Sequence, residues 1–361
     1  MDKMFKRTLL ASAVAMVAAA GSANAAIDLN GKAVQVYGQA AGGLIIQNPS
    51  EGDSSVIADL ESRIGFRGVV EYENFAPDLI WQIESGNANG SAGSFGVRDT
   101  FVGLAFDGVG SIKYGRQLVA AYNYVDWPHS NPGLGGVFDR SWAPDVGGSY
   151  QDRADHVLRF DSETFGGFNF QATLSGMDKT TEALVASIAA SVQLGSVNLH
   201  GGYYAQGSYD VVKTDEDTVI IDKTTKLPVL NPDYGKKTTE KAGDMSYGIV
   251  GATWGIDSFT LTGAVKFMDN GVADSQQTAY SATAQYVMNN QWVYKLGVAA
   301  SDKVETKGKT VDNTDDLAIT GRLGYLLPST YLYLDVRYAD MNGDTKAADG
   351  TNIHIGAEYY F

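Results

Sequence analysis

The residues with the most chemical potential in this 361-residue chain are concentrated in one stretch, Gln117–Asp152. It holds the acids Asp126, Asp139 and Asp145 and the aromatics Tyr122, Tyr124, Trp127, Phe138 and Trp142. Pro128, Pro132 and Pro144 break it, and Pro132-Gly133-Leu134-Gly135-Gly136 forms a glycine-rich centre. Segments of more than ~15 residues without a regular pattern are uncommon and usually functional or disordered. The aromatic content argues for packing against something. Arg116 and Arg153 bracket the stretch, and Arg63 and Arg67 lie two positions apart twice over, on one face of an extended strand. Two guanidiniums on one strand face need water or a partner, so that face should look into an aqueous lumen. Hydrolysis is the competing chemistry. It needs a nucleophile and an activating base within hydrogen-bond reach. The histidines are His129, His156, His200 and His354, and no serine carries a nucleophile motif. His129, inside the long stretch, is the one to test as a base; lining or packing is its plainer role.

The elements that must position these residues are strands. Apolar and polar residues alternate in runs of about ten, separated by polar turns. Sixteen such runs can be drawn: Lys32–Gln47, Leu60–Glu73, a third from Leu79 after a turn at Asn74–Asp78, Val97–Phe106, Gly110–Gln117, a sixth from Arg153, Phe168–Gly176, Leu184–Leu194, Val197–Gly207, Met245–Trp254, Ser258–Met268, Thr278–Val287, Trp292–Ser301, Leu317–Leu327, Thr330–Asp340 and Thr351–Phe361. Phe168, Phe170, Ala172 and Leu174 against Asn169, Gln171, Thr173 and Ser175 is the cleanest alternation. Long connections follow odd strands and short ones follow even strands, including the tight turn Asp107-Gly108. An all-β, 16-stranded antiparallel transmembrane barrel with external loops on one side produces that alternation. The stretch at 117–152 then folds into the lumen and sets the pore size. Ser208–Ala242 reads as a solvated external loop with a small hairpin near Thr218–Lys226. Trp81 and Trp292 are expected in interfacial girdles, with Trp254, Tyr331 and Tyr359 left open between girdle and lumen.

Composition narrows the setting. Residues 1–25 have a charged start, an apolar run from Leu9 to Ala20 and the small-x-small site Ala23-Asn24-Ala25, the pattern of an export signal peptide. Cleavage there leaves residues 26–361 as the barrel domain and moves the net charge from −15 to −17, because the leader carries three basic residues and one acid. No later run is long and apolar enough for a transmembrane helix. There is no Cys, so disulfides and thiolate metal sites are excluded. The acidic balance argues against nucleic-acid binding. No cofactor or metal motif stands out; Asp215-Glu216-Asp217 reads as a solvated charge run before it reads as a weak cation site.

A set of motifs carries a family resemblance. The alternating end Ile353-His354-Ile355-Gly356-Ala357-Glu358-Tyr359-Tyr360-Phe361 resembles the terminal signal of bacterial outer-membrane barrels, with Tyr359 and Phe361 on its apolar face. Ser62-Arg63-Ile64-Gly65-Phe66-Arg67-Gly68, Ile80-Trp81-Gln82-Ile83-Glu84, Phe101-Val102-Gly103-Leu104, Gly115-Arg116-Gln117 and the segment from Arg153 through His156-Val157-Leu158-Arg159-Phe160-Asp161-Ser162 resemble successive strands of the Gram-negative general porins, in family order. The resemblance implies a homotrimer in the outer membrane, contacting its lipids, with passive diffusion of ions and small hydrophilic solutes and no enzymatic activity. It implies a basic wall at Arg63, Arg116 and Arg153, with Arg67 and Arg98 as neighbours and Gln82 and Glu84 facing the lumen. It implies a constriction loop with its tip at Pro132, Gly133, Gly135 and Gly136. Gly133 stands where many relatives carry an acid, so Asp126 and Asp139 are expected to supply the negative side. Acids on the loop opposite arginines on the wall create a transverse field. Arginine–carboxylate pairs that only brace the loop are the alternative role for the same residues. A solute-selective channel of the same architecture is the alternative function.

Overall fold

The computed structural model describes residues 26–87, 94–126, 128–140, 145–177, 180–215, 218–221, 226–341 and 349–361. Residues 1–25, Trp127, Trp142, Pro144, Glu216 and Asp217, all used in the sequence reading, lie outside the described residues.

Sixteen strands cross in turn: β1 Gln35–Pro49, β2 Arg63–Tyr72, β3 Phe75–Glu84, β4 Thr100–Phe106, β5 Gly110–Leu118, β6 Arg153–Ser162, β7 Phe168–Ser175, β8 Val185–Leu194, β9 Val197–Gln206, β10 Met245–Ile256, β11 Phe259–Asn270, β12 Ser275–Met288, β13 Trp292–Ser301, β14 Asp316–Leu327, β15 Thr330–Met341 and β16 Gly350–Tyr360. Each pairs antiparallel with the next. The ring closes where β1 meets β16, from Gln39↔Tyr360 to Pro49↔Gly350. Phe361 continues the seam by exchanging backbone hydrogen bonds with Gly38. Closure pairs every strand edge, which a sheet in hydrocarbon requires.

Burial is inverted relative to a soluble domain. Val250, Leu296 and Phe267 on the outer face are 64%, 62% and 55% exposed, while Lys266 and Asp335 on the inner face are almost fully covered. An apolar exterior around a polar interior is the arrangement of a barrel solvated by lipid. Among the described residues no helix is long and apolar enough to cross a membrane.

The second strand departs from the expected single run. Ser55–Leu60 pairs with the upper half of β1 and β2 with its lower half, broken at Glu61 and Ser62. Ser62 Oγ repairs the ladder by accepting from Ala41 N at 2.9 Å and donating to Ala41 O. The turn expected at Asn74–Asp78 is shorter, because β3 already begins at Phe75. Pro77 and Asp78 look like turn residues yet sit inside this strand. The external loop is better ordered than expected: Ser208–Thr214 pairs with Lys237–Gly243, and Val219–Ile221 pairs with Pro228–Leu230.

Candidate functional site: a lumenal segment facing a charged wall

The stretch after β5 turns inward and runs across the inner wall from β7 to β15. A Val119 N to Asp152 O hydrogen bond of 2.9 Å closes its neck. Ala120 N donates to Thr173 Oγ1 on β7 at 3.1 Å, and Ala121 N donates to Ser187 Oγ on β8 at 2.9 Å. Two single-turn helices follow, α1 Tyr122–Val125 and α2 Gly135–Phe138. Between them Ser281 Oγ on β12 donates to His129 O at 2.6 Å. The return limb is held by Lys266 Nζ on Asp139 O, by Arg140 paired with Asp316 on β14, and by Asn270 Nδ2 on Val146 O at 3.0 Å.

The wall is shaped for this. Inward positions beneath the segment are small: Gly202, Gly251, Ser281, Gly297 and Ala318. A Cβ at Gly202 would lie 2.9 Å from Ala121, and one at Gly297 would lie 2.9 Å from Leu134. Val125, Leu134, Val137 and Phe138 are essentially fully buried against that floor. Each such burial stabilises by roughly 1.5–3 kcal/mol, so apolar packing, more than polar contacts, fixes the segment. The run of small residues at inward parity on β9 to β14, with Ala264 supplying the β11 position, was the sequence signal for this track.

Gly133 faces Arg337 on β15 at φ +69, where an added Cβ would press into the arginine side chain. That accounts for glycine at the tip. Pro132 is preceded by a cis peptide, and Gly136 lies against Met341.

The acids sit on the free side. Asp126 caps α1 and accepts from Ser130 Oγ at 3.0 Å. Asp139 caps α2 and accepts from Tyr122 O–H at 2.9 Å, which ties the two helices together. Burial, then the neighbouring Asp139, pushes the Asp126 carboxyl up, against the pull of Arg153 and Arg98. Burial and the same acids also raise the Tyr122 hydroxyl.

Across from them stands the wall of β1–β6. Arg98 Nε lies 2.5 Å from Glu84 Oε1, and Tyr37 O–H donates to Glu84 Oε2 at 2.7 Å. The Arg67 guanidinium lies 4.8 Å over the Tyr37 ring, and Arg63 donates to Gln39 Oε1 at 2.8 Å. Gln82 is the register partner of Arg67. Arg153 Nε meets Asp99 Oδ1 at 2.7 Å. Arg98, Arg153, Tyr122, Asp126, Tyr150 and Asp152 line one opening of about 560 Å³. Arg116 stands apart from that group, donating to Val97 O at 2.7 Å and pairing with the exposed Asp155 at 2.9 Å. A bulge between Gly115 and Gln117 interrupts strand alternation at this point.

Arg322, Asp335, Arg337 and Lys113 are further lumenal charges that the sequence reading did not single out, whereas Arg159 and Asp161 face inward as their strand parity predicts. Arg322 makes a two-point contact with Asp335 at 2.6 and 2.8 Å, and Arg337 shares the same carboxylate. Tyr331 and Tyr333 pack beside the Arg322 guanidinium, so Tyr331 belongs to the lumen and not to a girdle. Lys113 pairs with Asp161, which also holds Arg159. Trp254 and Tyr359 are about half exposed on the outer face, and the Tyr359 ring stacks 6.3 Å from Phe361.

Comparison with known proteins agrees with this geometry. A family model described as Gram-negative porin matches residues 11–344. A chitoporin of Vibrio furnissii is 32% identical over the full length of both chains. Outer membrane porin F of Salmonella typhi is 24% identical over 99% of this chain and 100% of its own. Among solved structures, OmpT of Vibrio cholerae in a trimer form superposes with a TM-score of 0.62 at 17% identity, covering 91% of this chain and 99% of that one. The chain therefore belongs to the Gram-negative porins, and its barrel is an outer-membrane channel for passive diffusion of ions and small hydrophilic solutes.

Proposed function

We propose that passage through this channel is governed by the field between Asp126 and Asp139 on the lumenal segment and Arg63, Arg98 and Arg153 on the facing wall, with Arg67, Gln82 and Glu84 setting the wall's polarity. The observation that carries the reading is that Arg98 and Arg153 line the same opening as Asp126 and Asp152. Opposed charges across a narrow aqueous space orient dipolar solutes and penalise apolar ones, which lose hydration without replacement. Arg98 and Arg153, each already paired with a carboxylate, fit both lining and structural support. Planar-bilayer conductance and reversal potential under a salt gradient test it. Large ohmic conductance whose selectivity follows Asp126 and Arg153 substitutions supports the field; selectivity indifferent to both sinks it.

On this reading the protein assembles as a homotrimer, the state recorded for the Vibrio cholerae OmpT neighbour. Stepwise insertion in threes is the check. Residues 1–25 act as the leader and Tyr359 with Phe361 as the terminal membrane signal. The protein is read as a channel and not an enzyme: His129 meets His200 instead of a serine nucleophile.

A second reading is a solute-selective channel. It is favoured by Tyr122 and Tyr150 at the opening and by the 32% identity to a chitoporin. Block of single-channel current by low concentrations of chitooligosaccharide, absent with unrelated sugars of equal size, separates it from general diffusion.

A further inference from the structure

His129 on the lumenal segment and His200 on β9 meet Nε2 to Nε2 at 2.7 Å, midway along the segment's track. Both are buried. A contact this short needs one donor and one acceptor, and the neighbours fix which is which. His200 Nδ1 faces the Asn198 amide oxygen at 3.3 Å, and an amide oxygen only accepts. His200 therefore carries its proton on Nδ1 and accepts at Nε2, so His129 donates from Nε2. The His129 Nδ1 is buried without a hydrogen-bond partner, as a bare ring nitrogen in that tautomer permits.

The pair sits in a tailored pocket. Tyr124 stacks on His200 at 4.8 Å and Phe138 packs edge-on to His129 at 5.9 Å. Gly251 on β10 lies beneath, where a Cβ would fall 2.7 Å and 2.8 Å from the two Nε2 atoms. Ser281 on β12 holds the His129 carbonyl. The charged group acting on His129 is Lys295 on β13, which is of the same sign as an imidazolium. Among the described residues no carboxylate is paired with either ring. A proton on His129 has no acceptor at Nδ1, and one on His200 sets two N–H groups face to face.

We propose that the His129–His200 pair is a titratable mooring that adds to the apolar packing and the Arg140–Asp316 pair in keeping the middle of the lumenal segment against the β9–β13 wall, and that its protonation releases that part of the segment toward Arg98 and Arg153 and narrows the conduction path. His129 and His200 are thus positioning residues for the channel. The segment has wall on one side and the opening on the other, so a released segment moves into the opening.

The pH window follows from linkage. Burial, then His200 and Lys295, hold the moored His129 down to about 3. Released into water it titrates near 6.5. A base depressed in the moored state keeps mooring fully favourable above the released value. Mooring weakens as pH falls below that value, and the moored-to-released ratio drops about tenfold per pH unit until the lower value is reached.

The test is single-channel recording of the purified full-length mature protein, reading the ratio of conductance at neutral pH to that at about pH 4.5, within the linkage window. The wild type should lose conductance or close more often in acid, and the double variant His129→Gln/His200→Gln, which keeps amide pairing but does not titrate, should give a ratio near one. The Asp126 carboxyl is pushed up by burial and by Asp139, so both are repeated with Asp126→Asn; acid sensitivity that persists there supports the histidines. Ser281→Ala, which removes a neutral tether, should move the acid response to higher pH. A wild-type ratio near one overturns the proposal, as does a double variant as acid-sensitive as wild type, or sensitivity abolished by Asp126→Asn alone. Selectivity of the opening is read separately from reversal potential, so failure of the mooring and failure of the field are distinguishable.

Discussion

Glu84 holds Arg98 and Tyr37 at once, one carboxylate oxygen 2.5 Å from the Arg98 Nε and the other accepting the Tyr37 hydroxyl at 2.7 Å. The wall beside the opening is therefore a neutralised pair whose net field depends on that carboxylate. Glu84→Gln leaves the shape and uncovers Arg98. The expected result is a reversal potential shifted toward anions, with a stability loss below about 3 kcal/mol because the amide still accepts a hydrogen bond.

The arginines of the wall should not be equivalent. Arg98→Ser and Arg153→Ser each remove a cation from the opening that Asp126 also lines. Each should raise conductance and move the reversal potential toward cations. Arg116→Ser should change both much less, since its partner Asp155 is largely exposed. Exposed pairs of this kind contribute about 0–1 kcal/mol, so thermal unfolding of the Arg116 variant should match wild type closely.

The return limb depends on a buried charge. Arg140 is paired with Asp316 and with Asp145 at 2.6 Å, and the Arg140 and Asp316 side chains are each 1% exposed. Removing one partner of a buried pair costs about 3–5 kcal/mol when the other charge is left unpaired, and less here because Asp145 still holds Arg140. Asp316→Ala should therefore loosen the segment before it unfolds the barrel. Noisier single-channel current together with an intact β-sheet circular dichroism spectrum is the expected outcome.

Asp126 should give selectivity its own acid limb. Its carboxyl is raised by burial and by Asp139, so it protonates at a higher pH than an ordinary carboxylate near 3.9. An acid whose folded value is raised is destabilising when ionised; that cost is present above the raised value and relieved as pH falls through it. Cation preference should decline over the same interval. Reversal potentials measured against pH should show this step in wild type and lack it in Asp126→Asn.

Much of the barrel was legible because alternation survives in every strand that has lipid on one side and water on the other. Trp292–Ser301 matches the sequence reading residue for residue, and Gly110–Leu118 differs by one. The break at Glu61–Ser62 was hidden because Ser62 replaces a backbone partner with its hydroxyl, a substitution that periodicity does not register. β3 was shortened by taking Pro77 and Asp78 for turn residues. The position of Asp126 opposite Arg98 and Arg153 depends on the whole path of the segment. That path is fixed by glycines on strands far away in sequence, and only a reading across strands could have joined them. Arg116 shows the limit of strand parity, since the bulge beside it breaks the rule that parity needs.

The seam between β1 and β16 joins residues 303 apart, as the Asn48 side chain bonded to Thr351 O illustrates. Bringing ends so distant together costs roughly 5 kcal/mol of chain entropy, and nothing returns that cost until the final strand is in place. A nascent molecule with fifteen strands formed has two open edges, each a template for aggregation. The edges of β1 and β15 are thus covered only once β16 has paired with both. The exchange of hydrogen bonds between Phe361 and Gly38 extends that cover by one more residue along the seam, so that pairing of the outermost strands is what removes the aggregation template.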